Sequence, residues 1–174
     1  VLLKDFFLQT FLPYVDFKMS ANCLDKKRCW KQVVEAKQLL DVLKLSREGH
    51  TLSSAQKRIR NHPACRMWRG YELALQVYYN AFFDVSVEKW GIKPVKSVKF
   101  EFQEKWFLYE IPKWLGYEPM HASHRSRLLE KKPEFYLQYN WIEKPSLENY
   151  WPVDDNNELN VEIVKWYERR TIVC

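Results

Sequence analysis

Apolar residues in the stretch 25–45 follow a helical repeat. They recur every three or four positions, at Cys29, Val33, Ala36, Leu40 and Leu43. This spacing places them on one face of an α-helix of roughly five to six turns. The carboxylate of Asp25 can accept hydrogen bonds from the backbone amides at the start of this helix. The pattern predicts a helix that packs its apolar face against a core.

A polar stripe runs along one edge of the same predicted helix. It consists of Arg28, Lys31, Gln32 and Glu35. At about 100° per residue, these side chains lie beside the apolar face and not opposite to it. In that position they would line the wall of a groove. The alternative is a salt-bridge network at the boundary of the core, with Lys31 and Glu35 paired one turn apart.

Two further helices are predicted before residue 91. A short one precedes the helix at 25–45, and a long one follows it after a loop. Asp16 can cap a short helix that ends near Cys23. Residues 46–60 are polar and predict the loop. Pro63 suits the first turn of another long helix, whose apolar spacing continues to a point between residues 84 and 91. Gly70 would lie in the interior of that helix.

The second half of the chain is less regular. Residues 96–102 alternate between apolar and polar side chains, which predicts a short strand or an insertion. Residues 119–132 predict a third main helix, and residues 133–139 a short fourth one. The expected fold class is therefore all-α: a compact bundle of three to four main helices with an extended N-terminal leader and an irregular C-terminal tail.

The expected organisation has three parts. Residues 1–8 would be an N-terminal extension, residues 9–152 the helical domain, and residues 153–174 a C-terminal tail. A chain of 174 residues is long enough for one domain with a real core. No apolar run approaches ~20 residues, so we expect no membrane-spanning segment.

Composition narrows the classes of function. A net charge of +6 favours a polyanionic partner, and 4 glycines are too few for a glycine-rich phosphate loop. The cysteines have no CxxC spacing and form no zinc pattern with the histidines, so we expect neither a metal nor a cofactor. We interpret them as reduced thiols, which predicts an intracellular protein and leaves cytoplasm, nucleus and organelle matrix open.

Positive charge is concentrated at the starts of the predicted helices, where the helix dipole disfavours it. The groups are Lys26, Lys27 and Arg28 in the first long helix, Arg66 and Arg69 in the second, and His121, His124 and Arg125 in the third. A bound phosphate would remove this conflict, because it pairs with helix amides and side-chain cations together. The placement indicates nucleic acid. The alternative is that the cations face solvent from separate corners.

Several short blocks of the sequence resemble one known family. They are Gln9-Thr-Phe-Leu-Pro-Tyr14, Asp16-Phe17, Leu24-Asp25, Lys31-Gln32, Glu35-Ala36, Asn61-His62-Pro63-Ala64, Met67-Trp-Arg-Gly-Tyr71, Trp114-Leu-Gly116 and His121-x-Ser-His-Arg-Ser126. In this order they are similar to the pyrimidine-dimer DNA glycosylases of the phage endonuclease V type, and more so to the actinobacterial-type branch. The resemblance covers about residues 9–152.

The resemblance implies a mostly helical enzyme that flips a nucleotide out of duplex DNA. Such an enzyme cleaves the N-glycosidic bond with an N-terminal amine and a helix glutamate, without a metal. By position, Glu35 would be the essential carboxylate, because a carboxylate stabilises the oxocarbenium-like state of the sugar. Arg28, Lys31 and Gln32 would bind the phosphate or sugar. Asn61, His62, Arg69, His124 and Arg125 would complete the site, and the charge pattern adds Arg66 and His121 to the expected nucleic-acid-binding residues.

One departure from the family affects the nucleophile. In the family the Thr-Phe-Leu-Pro block lies almost at the amino terminus, whereas eight residues precede Gln9 here. Two catalytic routes then stay open. Either Lys31 supplies the amine, if burial and the charge of Arg28 favour its neutral form, or Glu35 activates water and only the base is released. A third possibility is that the extension has silenced the site.

Three hypotheses for the function follow. The first is a metal-independent DNA glycosylase, with or without lyase activity, that excises a damaged or modified base from double-stranded DNA. The second is a catalytically silent nucleic-acid-binding subunit of a larger assembly such as a ribonucleoprotein, which would bind RNA and dock protein partners through residues 1–8 and 153–174. The third is a defence glycosylase that removes hypermodified viral bases.

Overall fold

The computed structural model describes residues 8–102, 110–148, 150–154, 156 and 158–160, and no strand occurs in these ranges. In chain order the helices are α1 (Phe17–Cys23), α2 (Lys26–Arg47), α3 (Ser54–Asn61), α4 (Pro63–Trp68), α5 (Glu72–Glu88), α6 (Glu118–Lys131) and α7 (Pro133–Tyr136), followed by a 3-10 turn at Leu137–Tyr139. The all-α fold class is confirmed. Residues 1–7 and 161–174 lie outside the described residues, and so do the docking roles predicted for them. Within the described part of the chain, no helix is both long and apolar enough to span a bilayer.

α2 is the central helix of the bundle. Asp25 caps it, since its Oδ1 accepts a hydrogen bond from the Arg28 backbone N–H at 3.2 Å. The predicted apolar face is buried in full, and Leu39 and Val42 widen it. α5 packs against both α2 and α1, and residues of α4, α6 and α7 complete the same core.

The predicted second long helix is in fact two helices, α4 and α5. The chain leaves α4 after Trp68, and Gly70 has a φ of 85°, in the left-handed region that residues with a side chain rarely adopt. The prediction of one continuous helix is wrong, because apolar spacing alone does not show where a turn redirects the chain. Trp68 is fully buried at this turn, and its Nε1 donates to Thr10 Oγ1 at 3.0 Å.

The predicted loop at residues 46–60 contains the helix α3. A reciprocal capping box starts it: the Gln56 backbone N–H donates to Ser53 Oγ at 3.3 Å, and the Ser53 N–H donates to Gln56 Oε1 at 2.9 Å. α3 contains no buried residue, so it lacks the apolar repeat on which the sequence interpretation relied. The loop prediction is wrong for most of this segment, and the Ser-x-x-Gln spacing was the local signal of the helix.

Residues 96–102 form an extended insertion against α5 and not a strand. The Asn80 side chain pairs with both backbone groups of Phe100: its Nδ2 donates to the carbonyl at 2.8 Å, and its Oδ1 accepts from the N–H at 2.9 Å. The Tyr79 hydroxyl donates to the Val98 carbonyl at 3.1 Å. Side chains of one helix therefore replace the neighbouring strand that this segment lacks.

The extended run at residues 9–13 is buried among the helices without a strand partner. Helix side chains pair with its peptide groups: Phe11 N–H donates to Gln32 Oε1 (2.8 Å), Tyr78 O–H to Phe11 O (3.1 Å), Leu12 N–H to His124 Nδ1 (2.9 Å), His121 Nδ1–H to Leu12 O (2.7 Å) and Arg125 Nη1–H to Pro13 O (2.7 Å). Buried peptide groups that lack a partner are costly. These side chains are therefore a condition for burying the segment at all.

The two histidines that hold Leu12 have opposite tautomers. His124 Nδ1 accepts from a peptide N–H, so the ring proton lies on Nε2, 3.1 Å from the side-chain amide of Gln9; Gln9 must therefore present its amide oxygen there. His121 Nε2 accepts from the Gly116 N–H at 3.1 Å, so its proton lies on Nδ1. Burial lowers the pKa of both rings, and burial together with His121 lowers the pKa of His124 to about 3.

Nuclear magnetic resonance of the imidazole nitrogens tests this arrangement. We expect a protonated Nε2 in His124 and a protonated Nδ1 in His121, and His124 should stay neutral down to about pH 4, because its pKa is about 3. The unfolded chain takes up this proton at higher pH than the folded chain does, so His124 should destabilise the fold as the pH falls below about 6.5. A His124 ring that titrates near pH 6.5 would contradict the assignment.

Candidate active site

A groove of about 450 Å³ opens where the start of α2 meets the end of α6. Six cationic side chains line it, Lys27, Arg28, Lys31, Arg127, Lys131 and Lys132, together with the carboxylates Asp25, Glu35 and Glu134 and with Gln9, Phe11 and Gln32. Four of the residues predicted from the sequence, Arg28, Lys31, Gln32 and Glu35, come together in this wall. The groove therefore combines an excess of positive charge with three carboxylates, of which Asp25 and Glu35 are buried.

Glu35 is the most buried carboxylate of the groove after Asp25, and its environment opposes ionisation. Its side chain is 6% exposed, with Oε1 at 3.2 Å from Lys31 Nζ, and Oε2 accepts from Gln32 Nε2 at 3.4 Å. Burial raises the pKa of Glu35 to about 7, although Lys31, the Gln9 backbone amide and Gln32 act in the opposite direction. At neutral pH the carboxyl group is thus close to the midpoint of its titration, as a general acid or base requires.

Asp25 shows the opposite behaviour in the same groove. Tyr136 O–H donates to Asp25 Oδ2 at 2.7 Å, and Arg28 Nη1 lies 2.7 Å from that oxygen. Burial opposes ionisation of Asp25, but the hydrogen bonds from Tyr136 and Arg28 outweigh it and hold the pKa of Asp25 below its usual range. Asp25 is therefore a structural anion paired with Arg28, whereas Glu35 is the buried carboxylate of this groove whose pKa lies near neutrality.

α6 adds two cations that the sequence interpretation did not assign to the site. Arg127 is 5% exposed; its Nη1 donates to the Leu147 carbonyl at 2.7 Å, while its Nε has no hydrogen-bond partner among the described residues. Burial, Arg127, Arg28 and Lys31 lower the pKa of Lys131. The i, i+4 spacing of Arg127 and Lys131 was a signal that they share a helix face, but not that this face meets α2.

Four predicted nucleic-acid-binding residues lie around the junction of α3 and α4 and do not line the groove. They are Asn61 and Arg69, which are exposed, and His62 and Arg66, which are partly buried. His62 Nδ1 accepts from the Ala64 N–H at 3.1 Å and so caps α4. Its ring meets Trp151 edge to face, with centroids 5.4 Å apart. A contact of these residues with nucleic acid stays a prediction for a second surface.

The three residues predicted at the start of α6 point into the core. His121, His124 and Arg125 are buried and pair with the peptide groups of residues 9–13, and Arg125 also donates to Glu143 Oε1 from Nε at 2.9 Å and from Nη2 at 2.7 Å. None of the three lines the groove of Glu35, so the expectation that His124 and Arg125 complete that site is wrong. The physical reason is that an extended segment without a strand partner needs donors and acceptors, and the early turns of α6 supply them.

Among the described residues, no group of three or more His, Cys, Asp and Glu side chains is placed to hold a metal ion. Cys23, Cys29 and Cys65 are buried and not bonded to one another; Cys174 lies outside the described residues. The described groove offers a buried carboxyl group with a pKa near neutrality, a neighbouring lysine and an array of cations.

Comparison with known proteins gives one match. The family model described as pyrimidine dimer DNA glycosylase matches residues 8–98, a range that contains α1 to α5, the buried segment 9–13 and Glu35. No curated protein and no solved structure matches the chain. Arg127 and Lys131 lie outside the matched range, so their place in the groove is known from the structure alone.

Replacing the carboxyl group tests its environment through stability. The free energy of unfolding of Glu35→Gln, relative to that of the unsubstituted protein, should rise by up to about 3 kcal/mol as the pH increases from about 4.5 to about 7.5. The pKa of Glu35 is about 7 in the folded state and about 4.5 for a glutamate in water, so the unfolded chain loses this proton at lower pH than the folded chain does. The amide of the variant does not titrate. Urea unfolding at about pH 5 and about pH 8 measures the change. A difference between the two proteins that stays constant with pH would contradict the raised pKa.

Proposed function

The chain belongs to the pyrimidine dimer DNA glycosylase family, and on this premise we propose that it excises a damaged or modified base from DNA in the groove between α2 and α6. The observation that carries the proposal is that one groove holds a buried carboxyl group with a pKa near neutrality and an excess of cations. A nucleotide substrate needs both, because its phosphates require cations and its sugar requires a carboxylate when the glycosidic bond breaks.

Glu35 would act at C1′ of a nucleotide turned out of the duplex. The groove volume of about 450 Å³ lies within the usual range of small-molecule sites, and extrusion frees C1′ from the base stack. The bond from C1′ to the base nitrogen breaks with its electron pair on the base, which takes a proton from solvent. The ionised carboxylate of Glu35 stabilises the cationic sugar, and water then forms the new bond to C1′ and gives its proton to Glu35.

Water is a better candidate for the nucleophile than Lys31. The side chain of Lys31 is 52% exposed, so the burial that would favour a neutral amine is absent. The backbone nitrogen of Gln9, which interacts with Glu35, is a peptide amide bonded to Leu8 and is no nucleophile. The proposed reaction is therefore hydrolysis that releases the base and leaves the strand intact.

The cations of the groove would hold the sugar-phosphate backbone beside the extruded nucleotide. Arg127 keeps a buried Nε–H for which the described residues offer no acceptor, and a buried donor in that state is costly unless a ligand completes it. A phosphate oxygen is the natural acceptor, because arginine and phosphate form charge-assisted hydrogen bonds. Arg28, Lys31 and Lys131 would add to the field that attracts the backbone.

A second contact with the flanking duplex would involve the region of α3 and α4. Residues 51–70 include Lys57, Arg58, Arg60, Arg66 and Arg69 and no carboxylate, and most of these cations are exposed. Together with Asn61 and His62, they would contact phosphates outside the groove, in keeping with the nucleic-acid-binding role predicted from the sequence. Such contacts add affinity without reading the bases.

The central test is base release from duplexes that each carry one defined lesion or modified base. Glu35→Gln should keep duplex binding within about three-fold and lower single-turnover base release by at least about 100-fold, because the group that stabilises the transition state is lost. Glu88→Gln is the matched control: it makes the same substitution at an exposed position of α5 outside the groove and should leave the rate unchanged.

Two outcomes of this experiment would contradict the proposal. Release that is unaffected by Glu35→Gln would exclude Glu35 from the reaction. A covalent DNA adduct trapped by borohydride, present in the unsubstituted protein and absent in Lys31→Gln, would show amine chemistry in place of hydrolysis.

Salt dependence tests the contact between the groove and the phosphates. Lys131→Gln should lower the slope of log Kd against log salt concentration by about 0.9, because one phosphate neutralisation is lost. Lys18→Gln is the control, since it removes the same charge from an exposed position of α1 outside the groove. Fluorescence anisotropy of a labelled duplex at several salt concentrations measures both slopes. Equal slopes for the two variants would place the DNA elsewhere.

A further inference from the structure

The orientation of the Gln32 side-chain amide is fixed by a backbone donor. Gln32 is 1% exposed, and its Oε1 accepts the Phe11 N–H at 2.8 Å. The Tyr78 hydroxyl lies 3.0 Å from the same oxygen and 3.1 Å from the Phe11 carbonyl, so its one proton is shared between these two acceptors. The NH₂ group must then lie on the other side, where Nε2 is 3.4 Å from Glu35 Oε2.

The opposite orientation of this amide is disfavoured. It would place the NH₂ group against the Phe11 backbone N–H, and it would turn the amide oxygen towards the carboxylate. The buried Tyr78 hydroxyl contacts both Gln32 and the Phe11 carbonyl, so it links the amide to the segment that orients it. Gln32 is therefore fixed by the core and is turned away from solvent.

We propose that Gln32 is a positioning residue for Glu35 and not a ligand of the DNA backbone. The Phe11 peptide keeps its NH₂ group on the carboxylate, and this bond helps to orient Glu35 and favours its ionised form. The inference rests on the proposed function, because it concerns the carboxylate assigned to that reaction. It replaces the phosphate or sugar contact that the sequence interpretation expected of Gln32.

Gln32 is a buried residue whose side chain donates a hydrogen bond to Glu35. The charged and titratable groups around the carboxyl are Lys31 on α2, Lys131 on α6 and Tyr78 on α5, with Arg28 and Arg127 in the same groove. The two lysines are reached by solvent, which screens their charges. The bond from Gln32 is shielded from water and should keep its effect at high salt.

Gln32→Glu is the decisive variant. The new carboxyl group keeps an oxygen for Phe11 and Tyr78, but it replaces the donor that faced Glu35 with a second acid. Two adjacent carboxyl groups share one proton near neutral pH, so the net charge of the groove is preserved and DNA affinity should change by less than about three-fold. The midpoint of the acid limb in the pH profile of kcat should shift to higher pH by at least about one unit. At pH values below this midpoint, the rate would fall by about ten-fold.

Two further variants separate positioning from simple damage to the fold. Tyr78→Phe removes the hydroxyl that is shared between Gln32 Oε1 and the Phe11 carbonyl. It should move the limb in the same direction by less, which gives a second test if Gln32→Glu does not fold. Gln38→Glu is the matched control, because it makes the same substitution on α2 at a residue outside the groove. It should leave both the pH profile and DNA affinity unchanged.

A titration of Glu35 by carbon-13 resonance of its carboxyl group gives a readout that does not depend on activity. An unsubstituted protein that releases no base would defeat the proposed function, yet the Glu35 midpoint should still rise in Gln32→Glu and in Tyr78→Phe. A midpoint that is the same in all folded variants would overturn the positioning role. A DNA affinity at least about ten-fold weaker with an unchanged pH profile would also overturn it, and would return Gln32 to DNA binding.

Discussion

An extended chain segment buried without a strand partner is the constraint on which this structure depends. Residues 9–13 lie among the helices with their peptide groups exposed to the core, where an unmet hydrogen bond costs about as much as a destabilising point mutation. The helices meet this requirement with side chains. His121, His124 and Arg125 act from one side, and Gln32 and Tyr78 from the other. Each of these polar residues is buried because the segment needs it.

The same constraint determines how the candidate site is built. α6 is anchored by its first turns to residues 9–13, and this anchoring brings its last turns, with Arg127 and Lys131, to the groove beside α2. On α2, Gln32 links the buried segment to Glu35 through opposite ends of one amide. The groove and the core are thus joined by one hydrogen-bond network. A substitution in either is expected to change the hydrogen bonds of the other.

The two buried carboxylates of the groove, Asp25 and Glu35, have different electrostatic environments. Asp25 caps α2 and is stabilised as an anion by Tyr136 and Arg28, so it contributes to the fold. Burial outweighs the donors around Glu35 and raises its pKa to about 7, so its ionised form is a cost to stability that a purely structural residue would not carry. The fold lowers the pKa of Asp25 and raises that of Glu35. A buried group with a pKa shifted towards neutrality is typical of a functional site.

The sequence by itself determined the fold class, the extent of α2 with its cap at Asp25, and the grouping of Arg28, Lys31, Gln32 and Glu35. The extent of α2 and the grouping of these four residues depend on residue spacing within one helix, and the fold class depends on the same kind of spacing in several helices. Tertiary structure alone decided that the early turns of α6 enter the core, because His124 satisfies a peptide group 112 positions away along the chain. It also decided that Arg127 and Lys131 line the same groove as Glu35. The residue spacing within α6 does not show which face of the helix will contact residues 9–13, because that segment is distant in sequence.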